Sequence, residues 1–132
     1  MKSIEVLLIE DNSGDILLIR QTLAHEPFPV KVRVAMDGKQ AMQILADRNV
    51  EPDLIILDLD IPKISGLSLL ECNHVTKPVV VFTSSSRAQD RQCAFELGAK
   101  EFVQKPSDLD EFARQVSRIV RDWGKPELAP SA

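Results

Sequence analysis

The sequence VLLIEDN at residues 6–12 joins a run of four apolar residues directly to two adjacent carboxylates. A short apolar run without alternation predicts a β-strand that is buried on both faces. Glu10 and Asp11 follow this run at once, and no basic residue stands beside them in the sequence. Because neighbouring carboxylates repel each other, we expect a group from elsewhere in the fold to compensate their charge.

Comparable apolar runs recur along the chain at intervals that are too long for hairpins. They cover residues 4–9, 30–35, 53–58 and 78–83, with a weaker run at 100–105. Segments with helical spacing separate them, so strands and helices alternate. Strands that are apolar throughout indicate a parallel sheet covered on both faces, and the alternating second run indicates an edge strand. The predicted fold is α/β, a doubly wound five-stranded parallel sheet of order 2-1-3-4-5 in a three-layer sandwich.

Short polar residues and glycine mark the expected helix ends. The third helix is the least marked of the five and is expected near residues 64–74. The last helix is expected to follow Pro106, because proline is tolerated at a helix start. The predicted caps are Asn12, Asp37, Ser86 with Gln89, Gly98 and Ser107.

Length and composition are those of one globular domain. With 132 residues, 44% hydrophobic and 27% charged, we expect a single domain at residues 1–123 and a flexible tail at 124–132. No apolar run approaches the roughly 18 residues of a membrane helix, and the start lacks a secretory signal, so no membrane contact and a cytoplasmic location are expected. The net charge of −4 argues against nucleic acid as a direct partner.

Polar side chains stand at the carboxyl ends of four predicted strands, which meet at one edge of a parallel sheet. Taken singly, an acid there is usually a turn residue, a threonine a strand residue and a lysine a solvated surface residue. Together they favour a site, because three or more converging carboxylates require a cation and an all-oxygen set suits Mg²⁺. The residues are Glu10 and Asp11, Asp58 and Asp60, Thr83, and Lys105.

The motifs at these strand ends resemble those of the receiver domains of two-component response regulators. The segments LLIEDN, LIILDLDIPKISG, VVVFTSS and EFVQKPSDLDEF occur in the order of that family, and the resemblance covers residues 4–122. It implies a flavodoxin-like receiver fold and a protein that accepts a phosphoryl group from a sensor histidine kinase. It also implies that the protein is not an enzyme beyond its own phosphotransfer and autodephosphorylation.

The resemblance implies a role for each residue at the strand ends. Asp58 matches the phosphoacceptor, and Lys105 matches the lysine that reaches the phosphoryl group. Asp11, the Asp58 carboxylate and the main-chain carbonyl of Asp60 match the Mg²⁺ ligands. Glu10 matches the acid that acts on the metal through water. The chemistry explains why a lysine and metal ligands accompany the acceptor aspartate. A carboxylate can attack a phosphoryl donor only when the charge on the transferring oxygens is neutralised.

Two further positions match the switch of the family. Thr83 matches a hydroxyl that moves inward to meet the phosphoryl group, and Phe102 matches an aromatic residue that turns into the space opened by this movement. The resemblance also implies a cis peptide bond between Lys105 and Pro106. A local change of charge would thereby become a change of surface on the fourth and fifth strands and their helices.

Within the family, the chain resembles the single-domain regulators that work with bacterial phytochromes and related histidine kinases. The segments EDNSGDILLIRQTL and KPSDLDEF and a tryptophan after the last helix carry this likeness. The segment from Asp58 to Thr83 is about five residues shorter than is usual in the family, and Ser65 replaces the commoner acid before Gly66. These departures concern the third helix and leave the phosphorylation residues in place.

Three other interpretations account for part of the sequence. The segment LDLDIP has the D-x-D spacing of haloacid dehalogenase-like phosphatases, but it follows the third predicted strand and not the first. A flavodoxin-like cofactor module shares the topology but requires a phosphate-binding loop after the first strand, which is missing. A pseudo-receiver, used only for docking, would share the fold, although all phosphorylation positions are filled here.

The output of the protein is expected to pass through protein contacts, because too few residues follow Gly124 to build an effector domain. The last helix could supply a homodimer interface that includes Trp123. We expect the sheet to be too short to cover the end of that helix, which would leave the indole exposed. The simpler alternative is that Trp123 extends the core stripe by one turn. That stripe consists of Leu109, Phe112, Val116, Ile119 or Val120, and Trp123.

Overall fold

The structure, a computed structural model, describes residues 2–72 and 77–124. Five strands alternate with five helices along these residues. No helix in this part of the chain is long and apolar enough to cross a membrane. The strands are β1 (Ile4–Ile9), β2 (Val30–Ala35), β3 (Leu54–Leu57), β4 (Val79–Thr83) and β5 (Glu101–Gln104). The helices are α1 (Ser13–Ala24), α2 (Gly38–Ala46), α3 (Gly66–Cys72), α4 (Ala88–Glu96) and α5 (Leu109–Trp123).

The five strands form one parallel sheet in the order β2-β1-β3-β4-β5, as predicted. β1 lies between β2 and β3, so that Val6 pairs with Val32 on one side and with Leu54 on the other. β2 is an edge strand with exposed and half-buried residues alternating, which also confirms the prediction. This arrangement places the carboxyl ends of all strands at one edge.

The core has two layers, one on each face of the sheet. Successive residues of a strand point to opposite faces, so Leu7 and Ile9 contribute to one layer and Val6 and Leu8 to the other. Helices α2, α3 and α4 cover the first layer, and α1 and α5 cover the second. Burial on both faces explains why the central strands are apolar throughout.

Two predicted helix starts are confirmed by their caps. The Asn12 side chain accepts a hydrogen bond of 2.9 Å from the Asp15 N–H at the start of α1. The Asp37 side chain accepts one of 2.8 Å from the Gln40 N–H at the start of α2. Gly98, the predicted C-cap residue, has a φ of 104° just after α4, a conformation that favours glycine.

The capping box predicted for α4 is wrong. The helix begins at Ala88 with Arg87 as its N-cap residue, one position later than expected. The Ser85 hydroxyl, not Ser86, accepts a hydrogen bond of 3.3 Å from the Arg87 N–H and donates one of 2.6 Å to Asp90. The Arg87 side chain makes no capping hydrogen bond. The Ser85 hydroxyl, two residues before the N-cap, instead makes the hydrogen bonds at the start of the helix.

The start of α5 also differs from the prediction. The cap of α5 is Asp108 and not Ser107, since the Asp108 carboxylate accepts a hydrogen bond of 3.2 Å from the Glu111 N–H. α3 occupies residues 66–72, within the predicted 64–74, and residues 73–76 lie outside the described part of the chain. Of the predicted tail at 124–132, only Gly124 is described, as the buried C-cap of α5.

The expectation that the sheet is too short to cover the end of α5 is wrong. Gly124 is buried over the start of β1, where an added Cβ would lie 2.9 Å from Cγ2 of Ile4. Trp123 packs partly buried against the core layer, and its indole N–H donates a hydrogen bond of 2.8 Å to Glu101 on β5. Arg118 contacts the other oxygen of the same carboxylate at 2.7 Å. The simpler interpretation of Trp123, as an extension of the core stripe, agrees with this packing.

Candidate functional site

The polar residues predicted to converge do meet at the carboxyl edge of the sheet. Asp58 follows β3 and lies between the side chains that follow the neighbouring strands. Its Oδ1 accepts a hydrogen bond of 2.8 Å from the Thr83 hydroxyl at the end of β4. Its Oδ2 accepts one of 3.0 Å from the ammonium of Lys105, the first residue after β5. Asp58, which follows β3, is therefore contacted by residues at the ends of both β4 and β5.

Three carboxylates form a cluster at this edge. Oxygen atoms of Glu10, Asp11 and Asp58 all lie within 4.8 Å of one another. Glu10 and Asp58 are buried and Asp11 is exposed, so the cluster opens to solvent on one side. Hard divalent cations such as Mg²⁺ and Ca²⁺ prefer oxygen ligands of this kind, and the cluster fits such an ion.

Asp60 lies next to this cluster and is exposed. Its N–H donates a hydrogen bond of 3.0 Å to Oδ1 of Asp58, which fixes the first residues of the loop between β3 and α3. The Asp58 carboxylate thus accepts hydrogen bonds from the Asp60 main chain, from Thr83 and from Lys105.

Lys105 has an almost completely buried side chain, which is only 7% exposed. Its ammonium bridges three carboxylates: Glu10 at 3.0 Å, Asp58 at 3.0 Å and Asp15 at 2.8 Å. Burial alone would lower the pKa of Lys105, but the hydrogen bond to Asp15 and the charges of Glu10 and Asp58 outweigh it and raise that pKa. Lys105 therefore remains charged and compensates Glu10, the first of the two adjacent acids after β1.

Asp15 is a member of the site that the sequence interpretation missed. Asp15 lies at the start of α1, where its N–H donates a hydrogen bond to the Asn12 cap. Its carboxylate nevertheless reaches the Lys105 ammonium at 2.8 Å. An acid in the first turn of the helix that follows β1 lies near the carboxyl edge of the sheet. This position in the sequence was the one indication that Asp15 could reach the site.

The two buried carboxylates differ in their affinity for a proton. Burial, together with a hydrogen bond to Asp58 and its charge, raises the pKa of Glu10 to about 8, although Lys105 opposes the shift. Burial would also raise the pKa of Asp58, but hydrogen bonds from Glu10, the Asp60 N–H and Lys105 outweigh it and lower that pKa. The lowered pKa keeps the Asp58 carboxylate ionised.

The predicted switch residues both point inward in this structure. The Thr83 hydroxyl is fully buried against Asp58, and Phe102 is 8% exposed within the core layer beneath α4. Val81 and Phe102 pair across β4 and β5, so the aromatic residue lies on the strand beside the one that ends in Thr83. The Lys105–Pro106 bond, for which the family resemblance implied a cis form, is trans.

The sequence profile of the response regulator receiver domain matches residues 6–117, which is most of the chain. The chain belongs to this family. The receiver domain is 33% identical over 119 residues to the transcriptional regulatory protein CpxR of Escherichia coli K12. It is 34% identical over 109 residues to a protein-glutamate methylesterase/protein-glutamine glutaminase of Geobacter sulfurreducens. These matches cover 89% and 81% of the receiver domain but only 49% and 29% of the two relatives.

Solved structures of two regulators resemble the receiver domain over nearly their whole length. The phosphorylated cyanobacterial phytochrome response regulator RcpA superposes with a TM-score of 0.86 at 30% identity, over 92% of this chain and 94% of RcpA. The Mn²⁺-bound form of the response regulator Rcp1 superposes with a TM-score of 0.85 at 28% identity, over 92% and 95%. The receiver fold of the sheet and its five helices is therefore confirmed.

Proposed function

We propose that the protein accepts a phosphoryl group on Asp58 in a Mg²⁺-dependent reaction and signals through the resulting change of its surface. One observation carries the proposal. The ionised Asp58 carboxylate contacts both the Lys105 ammonium and the Thr83 hydroxyl. Its oxygen also lies within 4.8 Å of carboxylate oxygens of Glu10 and Asp11. A nucleophile, a fixed positive charge and a cation site thus meet at one group.

The cation site would use the carboxylates of Asp11 and Asp58 and the main-chain carbonyl of Asp60, with Glu10 acting through water. When bound, Mg²⁺ supplies positive charge that neutralises the oxygens of the transferring phosphoryl group. The acidic cluster supports a divalent ion at this place, and the similar regulator Rcp1 has a Mn²⁺-bound form. Asp15 contacts Lys105 but is not one of the three clustered carboxylates, so it would hold that side chain and not the metal.

In the proposed step, an oxygen of Asp58 forms a bond to phosphorus while the bond from phosphorus to the nitrogen of the donor histidine breaks. Asp58 attacks in its ionised form, which its lowered pKa favours. Lys105 turns its ammonium from Oδ2 of Asp58 to an oxygen of the arriving group and keeps Asp15 as a partner. Lys105 thereby compensates negative charge before and after transfer without changing its own protonation.

The switch would run from Thr83 to Phe102. The Thr83 hydroxyl, which donates to Asp58, would donate to a phosphoryl oxygen after transfer. The side chain of Phe102 would follow the movement of Thr83, since it lies on the adjacent strand and within the core layer under α4. The surface affected would be that of β4, β5 and the helices beside them.

A sensor histidine kinase is the proposed phosphoryl donor, and a phytochrome is the proposed kind of sensor. The resemblance to RcpA over 92% of the chain supports a phytochrome. The cytoplasm is the proposed location, and the net charge of −4 supports protein partners over nucleic acid. Turnover of a phosphate ester such as p-nitrophenyl phosphate would instead favour the phosphatase interpretation.

A homodimer through α5 is the proposed output surface. Trp123 is half-buried and bonded to Glu101, so it would contribute the remaining exposed part of its ring. Leu109, at the start of the same helix, is 67% exposed and could extend the contact. A symmetric two-fold arrangement would bring the two copies of this helix together.

Mass spectrometry after incubation with acetyl phosphate and Mg²⁺ tests the proposal. Wild type should gain the mass of one phosphoryl group, and Asp58→Asn should gain none while retaining its fold. Asp60→Asn is the matched control, because only the main-chain carbonyl of Asp60 is a proposed ligand, and it should still be labelled. Persistent labelling of Asp58→Asn would show that another residue is the acceptor.

A further inference from the structure

The loop between β3 and α3 contains one residue in a rare backbone conformation. Lys63 has a φ of 73°, and no other residue apart from glycine in segments 2–72 and 77–124 has a positive φ. The Ile64 N–H donates a hydrogen bond of 3.0 Å to the Pro62 carbonyl, which closes a γ-turn around Lys63. Such a conformation is strained in a residue with a side chain, and it persists where neighbouring contacts hold it.

The contacts that hold this turn come from the start of α2. The Gly38 N–H donates a hydrogen bond of 3.2 Å to the same Pro62 carbonyl. The Lys63 ammonium lies 3.3 Å from Oδ2 of Asp37, the cap residue of α2. A Cβ on Gly38 would lie 2.4 Å from Cβ of Ile64 and 2.6 Å from its carbonyl oxygen, so only glycine fits there. We name Asp37, Gly38 and Lys63 the loop clamp.

The other end of the loop is fixed at the candidate site. The Asp60 N–H is bonded to the Asp58 carboxylate at 3.0 Å. The Gly66 N–H donates a hydrogen bond of 3.3 Å to the Leu59 carbonyl, and Leu59 and Ile61 are buried on either side of Asp60. Asp60 is therefore an exposed residue on a short segment whose two ends are both restrained.

We propose that the loop clamp positions the Asp60 carbonyl for the divalent cation and thereby sets the affinity of the site. The inference rests on the proposed function, in which this carbonyl is a ligand. None of the three clamp residues would touch the ion. They act by restricting the loop, since a ligand that is held in place loses little freedom when the ion binds.

Titration with Mn²⁺, followed by the electron paramagnetic resonance signal of the free ion, tests the clamp without phosphorylation. Gly38→Ala should raise the dissociation constant about tenfold, the lower end of the range for residues that support metal ligands. Gly124→Ala is the matched control. Its added Cβ would also be crowded, although less severely, at 2.9 Å from Cγ2 of Ile4 over the opposite end of β1. It should lose stability and bind Mn²⁺ as wild type does.

A second pair of variants tests the backbone of the turn. Lys63→Asn and Lys63→Val both remove the ion pair with Asp37, but only asparagine readily adopts a positive φ. Lys63→Val should therefore bind Mn²⁺ several-fold more weakly than Lys63→Asn. This comparison decides the matter if Gly38→Ala does not fold.

Unchanged Mn²⁺ affinity in folded Gly38→Ala would overturn the inference, as would equal affinities of Lys63→Val and Lys63→Asn. An equally large loss in Gly124→Ala would show a general effect of destabilisation. The proposed function fails in a different way: wild type would not bind Mn²⁺, or Asp11→Asn would bind it normally. A site that requires Asp11 but ignores the clamp would leave the proposed function intact and remove only this inference.

Discussion

Replacement of Lys105 by methionine should destabilise the protein and make its stability depend strongly on Mg²⁺. The ammonium is the shared partner of Glu10, Asp15 and Asp58, at distances of 2.8–3.0 Å. Methionine has a similar length but no charge, so the variant keeps the packing and leaves the carboxylates facing one another. The loss is then one of charge compensation and not of volume.

The expected magnitude follows from the burial of the partners. Removal of one member of a closed buried ion pair costs about 3–5 kcal/mol. The carboxylates of Glu10 and Asp58 are 2% and 8% exposed, but that of Asp15 is 28% exposed and can be solvated. We therefore expect a loss of about 2–3 kcal/mol in the free energy of unfolding without divalent ions. A cation in the cluster would replace the missing charge, so saturating Mg²⁺ should recover much of this loss.

Urea unfolding followed by circular dichroism, with EDTA or with Mg²⁺, measures both quantities. Lys100→Met is the matched control, since Lys100 is an exposed lysine just before β5, and it should change stability by less than about 0.5 kcal/mol. Equal stability of Lys105→Met and Lys100→Met in EDTA would refute the reasoning. So would a loss in Lys105→Met that Mg²⁺ leaves unchanged.

Three further outcomes are expected. Thr83→Ala should bind Mg²⁺ as wild type does in calorimetric titration, because its hydroxyl contacts Asp58 and is no proposed metal ligand; a loss as large as in Asp11→Asn would contradict this. Burial would raise the pKa of Glu101, but hydrogen bonds from Arg118 and Trp123 outweigh it and lower that pKa below its ordinary value of 4.5. Glu101→Gln should therefore be less stable than wild type above pH 4.5, and urea unfolding should show the difference shrinking as pH falls further, whereas a constant difference would exclude an ionic cause. Sedimentation of wild type and Trp123→Ala, with and without beryllofluoride, should show a dimer that depends on both the indole and the anion; monomers in all four samples would remove the dimer.

The main features of the fold and the site were predictable because strands impose simple geometry. Successive residues of a strand face opposite sides, so apolar runs such as that of residues 54–57 indicate burial on both faces. Parallel strands also end at one edge, which is why Asp58, Thr83 and Lys105 could be placed together from their positions in the sequence.

The features that were missed depend on how helices are rotated and where they end. Asp15 reaches Lys105 because of the rotation of α1 against the sheet, which helical periodicity does not define to within one residue. Glu101 pairs with Trp123 across 22 positions, and no local pattern in the sequence links them. The hydrogen bond from the Arg87 N–H to Ser85 before α4 was missed because several polar residues compete for such contacts in the segment before this helix.

The order of the strands has a consequence for the folding of the chain. A parallel pair of strands cannot form as a hairpin, since its strands are joined only through a crossover. β1 pairs with β2 and β3, so the first 57 residues contain all three neighbouring strands β2, β1 and β3. The site, in contrast, also requires Thr83 from β4 and Lys105 after β5. Local opening of β5 and α5 would therefore withdraw the lysine from its carboxylates while the remaining strands stay paired, and the ability to accept a phosphoryl group would be lost well before the fold itself.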